Sequence, residues 1–166
     1  MGRPNTEDLI AHPMPTALPT ASSTRAPDVS IAASRGGGRA VLVVDSTPIA
    51  RAFLMQRLRE LGYDAHGADH GELALAMVEQ QVFAIVFLEL TLTPENGIDG
   101  LTLCQAIKQK PDHPRGIVPA VVITTSRNGS SDRVRGSLAG CDAYLTKPLA
   151  EAAFLVALRE IDPLFQ

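Results

Sequence analysis

The sequence predicts an α/β domain: one doubly wound, five-stranded parallel sheet with helices on both faces. Three observations predict it. Short apolar runs alternate along the chain with longer segments in which apolar residues recur every three or four positions. Most of the runs are continuously apolar, as strands covered on both faces must be. Four of them end on a polar residue: Asp45 after Ala40–Val44, Glu89 after Phe83–Leu88, Thr125 after Ala120–Thr124 and Lys147 after Ala143–Thr146. In an open parallel sheet, ligands bind in the crevice at the carboxyl ends of the strands. Two carboxylates, a hydroxyl and an ammonium gathered there suit a phosphoryl group.

The elements follow in order from Arg39. After the first strand, Ser46 or Thr47 can cap a helix that has Pro48 at its first position. Ile49, Phe53, Leu54, Leu58 and Leu61 recur there at helical spacing, and Gly62 supplies the stop. Tyr63–Ala68 reads as a weak second strand and Glu72–Gln80 as a second helix carrying Leu73, Leu75, Ala76 and Met77. The third strand, Phe83–Leu88, leads through the loop Thr93–Gly97 to a helix over Gly100–Lys108. A Pro-rich connection, Lys110–Pro119, precedes the fourth strand. The fourth helix, Ser131–Ala139, is short and polar and ends at Gly140. Ala143–Leu145 is the last strand, and Lys147-Pro148 leads into a final helix, Ala150–Ile161. Alternation of this kind implies right-handed crossovers in one sheet.

Composition bounds the rest. A chain of 166 residues holds one domain plus an appendage. It is 45% hydrophobic but only 4% aromatic with no Trp, so the core is built from aliphatic side chains. Net charge is −3 and the Lys and Arg residues are dispersed, which gives no basic stripe for direct nucleic-acid contact. Cys104 and Cys141 form neither a disulfide framework nor a metal-ligand pattern and read as packing residues. No secretory h-region and no membrane-spanning run is visible, so a cytoplasmic protein is expected. Residues 1–38, rich in Pro, Ala, Ser and Thr and closed by Gly36-Gly37-Gly38, read as a disordered tail and linker. Within it Thr6–Ala11 could form a helical turn on a partner. The ordered domain is expected over 39–161 with 162–166 as a C-terminal end, and no output domain is expected to follow.

Several separated stretches carry a family resemblance: Val41-Leu42-Val43-Val44-Asp45, Phe87-Leu88-Glu89-Leu90, Val121–Ser126, Asp132-Arg133-Val134 and Ala139–Pro148. In their order and spacing the chain resembles the receiver domain of bacterial two-component response regulators, a (βα)5 flavodoxin-like fold. The resemblance implies that Asp45 helps hold Mg²⁺ and that Glu89 stands at the phosphoacceptor position, which is itself a ligand of the ion. It implies a metal-binding carbonyl at Thr91, phosphoryl-gripping groups at Thr125 and Lys147, and a switch aromatic at Tyr144. It also implies a histidine kinase as donor and an X–Pro bond at Lys147-Pro148 that is often cis, at a cost of only ~0.5–1 kcal/mol.

Three departures set the functional expectation. Glu89 stands where the family has Asp, which moves the carboxylate one methylene further into the pocket. In-line attack needs close geometry, and a shift of ~1 Å can cost about 10²-fold. Ser46 replaces the second acid of the metal-binding pair, which makes Mg²⁺ binding weak or lost, since that ion demands well-placed oxygen ligands. The loop after Glu89 is longer than usual, with Glu95 as a conceivable substitute ligand. The longer Glu89 side chain should reach Lys147 and Thr125 and imitate part of a phosphoryl group, which brings more charge and a third oxygen.

The expected protein is therefore a signalling receiver that is phosphorylation-independent and acts by protein–protein interaction. Three other readings stand beside it: an inert scaffold, an impaired but genuine phosphoacceptor, and a haloacid-dehalogenase-like phosphatase with Asp45 as nucleophile. That last reading lacks the D-x-D pair, because Ser46-Thr47 follow Asp45. By resemblance the face of the fourth helix, last strand and last helix, with Tyr144, Ala152, Leu155 and Val156, would meet a partner or a second copy. His66 and His70 do not make a metal site, since Gly67 and Gly71 interrupt any helix there. Arg133 and Arg135 read as a solvated face.

Overall fold

The computed structural model describes residues 39–92 and 97–166. The proposed tail, its Thr6–Ala11 turn and Glu95 lie outside the described residues. Five strands, β1 (Ala40–Val44), β2 (Asp64–Ala68), β3 (Ile85–Leu88), β4 (Ala120–Thr125) and β5 (Ala143–Thr146), pair in parallel in the order β2-β1-β3-β4-β5. The helices are α1 (Pro48–Glu60), α2 (Gly71–Gln80), α3 (Gly100–Gln109), α4 (Ser130–Leu138) and α5 (Glu151–Ile161). A short 3₁₀ turn at Pro114–Gly116 inside the Pro-rich connection was not foreseen.

The continuously apolar strands divide their side chains between two faces, because successive residues point to opposite sides. Val41, Val43, Ile85, Phe87 and Val122 meet Leu54 and Leu58 of α1 and Phe154, Ala157 and Leu158 of α5. Leu42, Val44, Val86, Leu88 and Val121 meet Ala74 and Val78 of α2 and Leu103, Cys104 and Ile107 of α3. Full burial of such side chains stabilises the fold by roughly 1.5–3 kcal/mol each.

Three details extend the sequence reading. Of the five apolar residues in the α1 segment, only Leu54 and Leu58 are fully buried, whereas Ile49 and Phe53 are 83% and 65% exposed. At 3.6 residues per turn, Ile49 and Leu54 lie roughly 140° apart, so the spacing describes two stripes on one helix. Neither Ser46 nor Thr47 caps α1 with its hydroxyl. Thr47 is the N-cap by backbone geometry, and its own N–H is taken by Asp45 Oδ1 at 2.9 Å. Residues 162–166 pack back onto the domain. Asp162 is 2% exposed, accepts from the Tyr63 hydroxyl at 2.7 Å and pairs with Arg39, while Phe165 stacks on Tyr63 with centroids 6.1 Å apart.

Helix α4 buries only Gly136, where an added Cβ would lie 2.9 Å from Ile123 Cδ1 and 3.2 Å from Tyr144 Cδ2. Its apolar side chains Val134 and Leu138 point outward. No helix among the described residues is long and apolar enough to cross a membrane.

Candidate functional site

Strand register brings the site together. Val44 pairs with Leu88, so Asp45 and Glu89 leave adjacent strands side by side, and Glu89 N–H donates to Val44 O at 2.9 Å. Thr125 pairs with Thr146, and Lys147 N–H donates to Thr125 O at 2.8 Å. The Lys147-Pro148 peptide that follows is cis. The four residues read from the sequence thus share one edge of the sheet, with Asp45 4%, Glu89 5% and Thr125 0% exposed.

Lys147 is the hub. Its Nζ donates to Asp45 Oδ2 at 2.6 Å and to Glu89 Oε2 at 2.7 Å. The other Glu89 oxygen, Oε1, accepts from the Thr91 N–H at 3.0 Å and from the Thr91 hydroxyl at 3.1 Å. Burial pushes the Glu89 carboxyl up. Hydrogen bonds from Lys147, the Thr125 hydroxyl and the Thr91 N–H outweigh it and hold the group below the ordinary value of 4.5. Burial likewise pulls the Lys147 ammonium down, and its bonds to Asp45 and Glu89 hold it above 10.5. Both groups are therefore charged at neutral pH, and the ion pair is largely screened from water.

Thr125 Oγ1 also accepts from Arg127 N–H at 3.3 Å. Tyr144, partly buried on β5, donates its hydroxyl to Arg127 O at 2.8 Å, and the Arg133 guanidinium lies 4.9 Å over its ring. Arg133 thus has a cation–π partner that the reading of a solvated face missed. Sequence reasoning also missed Arg51, whose Nη1 donates to Asp45 O at 2.6 Å. A signal was available: Arg51 sits six residues after Asp45, early in α1, where the helix turns back over the end of β1. Thr91, whose carbonyl is the atom the resemblance singles out, also gives Glu89 two donors through its N–H and hydroxyl. Cys104 is fully buried, with burial pushing its thiol up to about 12.

Beyond Glu89, the loop returns at Gly97, which has φ +115. Glu72 Oε1 accepts from Ile98 N–H at 3.1 Å, so α2 holds the far end of the loop. Asp99 then caps α3 by accepting from Thr102 N–H at 2.9 Å.

Comparison with known proteins agrees with this architecture. The model of the response regulator receiver domain matches residues 41–159. The chain belongs to this family. It is 30% identical over 120 residues to the heme response regulator HssR of Staphylococcus aureus, an alignment covering 72% of this chain and 50% of HssR. The chain therefore spans about half the length of the curated relatives it matches. A protein of Chloroflexus aurantiacus described as a response regulator superposes with a TM-score of 0.66 at 28% identity, covering 75% of this chain and 97% of that one. The Vibrio cholerae chemotaxis protein CheY4 gives a TM-score of 0.66 at 19% identity, covering 75% and 98%. The receiver domain is a module of two-component signalling, and the flavodoxin-like sheet is that of the family.

Proposed function

We propose that this receiver signals without being phosphorylated, with Glu89 as a built-in anion in the acceptor position and protein–protein contact as its output. One observation carries the reading: Lys147 Nζ lies 2.7 Å from Glu89 Oε2. The ammonium that would grip an incoming phosphoryl group is already bound to a carboxylate that the chain supplies itself. The imitation is partial, because Glu89 Oε1 turns back to Thr91 and the side chain brings one charge. Tyr144, on β5 three residues before Lys147, would report the state of the pocket to the α4–β5–α5 face. Val134, Leu138 and Val156 are 58%, 78% and 50% exposed there and offer apolar contact to a partner or a second copy. A histidine kinase, if it binds, would bind as a partner and not as a donor.

The test is incubation with acetyl phosphate and Mg²⁺, followed by intact mass. Wild type should take no label, and base-labile label that disappears in Glu89→Gln would revive the impaired phosphoacceptor. The double variant Ser46→Asp/Glu89→Asp, which restores the family pattern, should become labelled. Partner capture should weaken in Glu89→Gln and Lys147→Ala; equal capture by all three proteins would favour the inert scaffold.

A further inference from the structure

We infer that the Lys147 ammonium is the resident cation of this pocket, and that the magnesium ion implied by the family finds no coordination position beside it. This goes beyond the functional reading and does not rest on it. Mg²⁺ requires near-octahedral oxygen ligation at about 2.1 Å and gives up its water reluctantly.

The residues present do not fit that demand. Asp45 Oδ1 accepts from Thr47 N–H at 2.9 Å and Asp45 Oδ2 from Lys147 at 2.6 Å. Glu89 Oε2 accepts from Lys147 at 2.7 Å, and Glu89 Oε1 from both donors of Thr91 at 3.0 and 3.1 Å. Every carboxylate oxygen of the pair is thus turned to a donor. No third anion helps: Ser46 adjoins Asp45 in sequence, and no group of three or more His, Cys, Asp or Glu among the described residues is arranged to hold a metal ion.

Charge points the same way. The two carboxylates face the Lys147 ammonium, and the Arg51 guanidinium sits on the Asp45 carbonyl at 2.6 Å. Positive and negative groups already balance. A divalent ion entering this pocket either sits against Lys147, where like charges repel, or expels it from two charge-assisted hydrogen bonds. With neutral Ser46 in place of an acid, the remaining ligands are too few to offset either cost.

The experiment is an NMR titration of the ¹⁵N-labelled full chain with MgCl₂ at constant ionic strength, with Mn²⁺ as a broadening probe. In wild type the amides of Asp45, Ser46, Glu89 and Lys147 should show no saturable shift and no selective broadening. In Lys147→Met, which removes the ammonium and keeps most of the side-chain volume, a saturable Mg²⁺ shift should appear at those amides and be lost again on adding Asp45→Asn. Saturable Mg²⁺ binding by wild type that Asp45→Asn abolishes would overturn the inference. So would a folded Lys147→Met that remains blind to both ions. If Lys147→Met fails to fold, the wild-type arm decides alone. Acetyl phosphate labelling bears only on the functional reading, so wild type that binds Mg²⁺ yet takes no label refutes this inference and leaves that reading standing.

Discussion

Replacing Glu89 by Gln keeps the shape of the side chain and removes its charge, so it isolates what the Lys147 bond contributes. At 2.7 Å and an effective dielectric constant near 20, the gross attraction is about 6 kcal/mol. Most of that is offset, because a carboxylate only 5% exposed has lost its hydration. Hydrogen bonds to charged groups contribute about 1.5–3 kcal/mol net. The Lys147 side chain is 26% exposed and keeps Asp45 as a partner, which places the expected loss near the lower end, about 1.5–2 kcal/mol.

The assay is urea unfolding followed by circular dichroism across pH, where this loss amounts to a midpoint shift of about 1 M. The carboxyl of Glu89 titrates below 4.5 in the fold, so its stabilisation is complete above 4.5 and is lost as pH falls through the folded value. The ammonium of Lys147 titrates above 10.5, so its stabilisation is complete below 10.5 and is lost as pH rises through the folded value. The gap between wild type and Glu89→Gln should therefore be flat between these limits and close outside them. A gap below about 0.5 kcal/mol at neutral pH, within the ordinary range of surface changes, would refute the reasoning, as would a gap that ignores acid.

Three further outcomes are expected. Tyr63→Phe removes the donor 2.7 Å from buried Asp162 and should cost about 1–2 kcal/mol in the same unfolding assay; an unchanged midpoint would mean that Arg39 and Leu164 N–H satisfy that carboxylate alone. Gly97→Ala drives a Cβ into the Glu72 carboxylate at φ +115 and should lose about 2 kcal/mol; Glu72→Ala should relieve the clash and leave the backbone strain, so purely additive losses would contradict the geometry. Under native conditions a thiol reagent should modify partly exposed Cys141 well before Cys104, whose thiol ionises only near 12; equal rates would show that α3 does not shield it.

Much of the fold was legible because parallel strands covered on both faces announce themselves as continuous apolar runs, and because each polar residue at their ends marks a strand terminus. Asp45, Glu89, Thr125 and Lys147 could be placed on one edge by that logic alone. Long-range side-chain geometry was not legible in the same way. That one ammonium serves two carboxylates depends on the registers β1–β3 and β4–β5 together, which no local pattern records. Ile49 and Phe53 show how helical periodicity identifies a helix without identifying its buried stripe. Arg133 and Thr91 show the same for polar groups, since a charge on a polar helix and a loop hydroxyl acquire partners only once the turns that carry them are folded.

The contact between Arg39 and Asp162 has a practical corollary. It joins the entry into the first strand to the exit from the last helix at the pole of the sheet opposite Lys147. Five residues of strand, about 17 Å, separate that pole from the acidic pocket. A fluorophore or affinity handle attached near Phe165 is thus kept away from the chemistry at the other end. Linking residue 166 to residue 39 in a variant without residues 1–38 would also allow a circular permutant, with new termini opened in the Pro-rich connection before β4, to test whether the pocket forms irrespective of chain order.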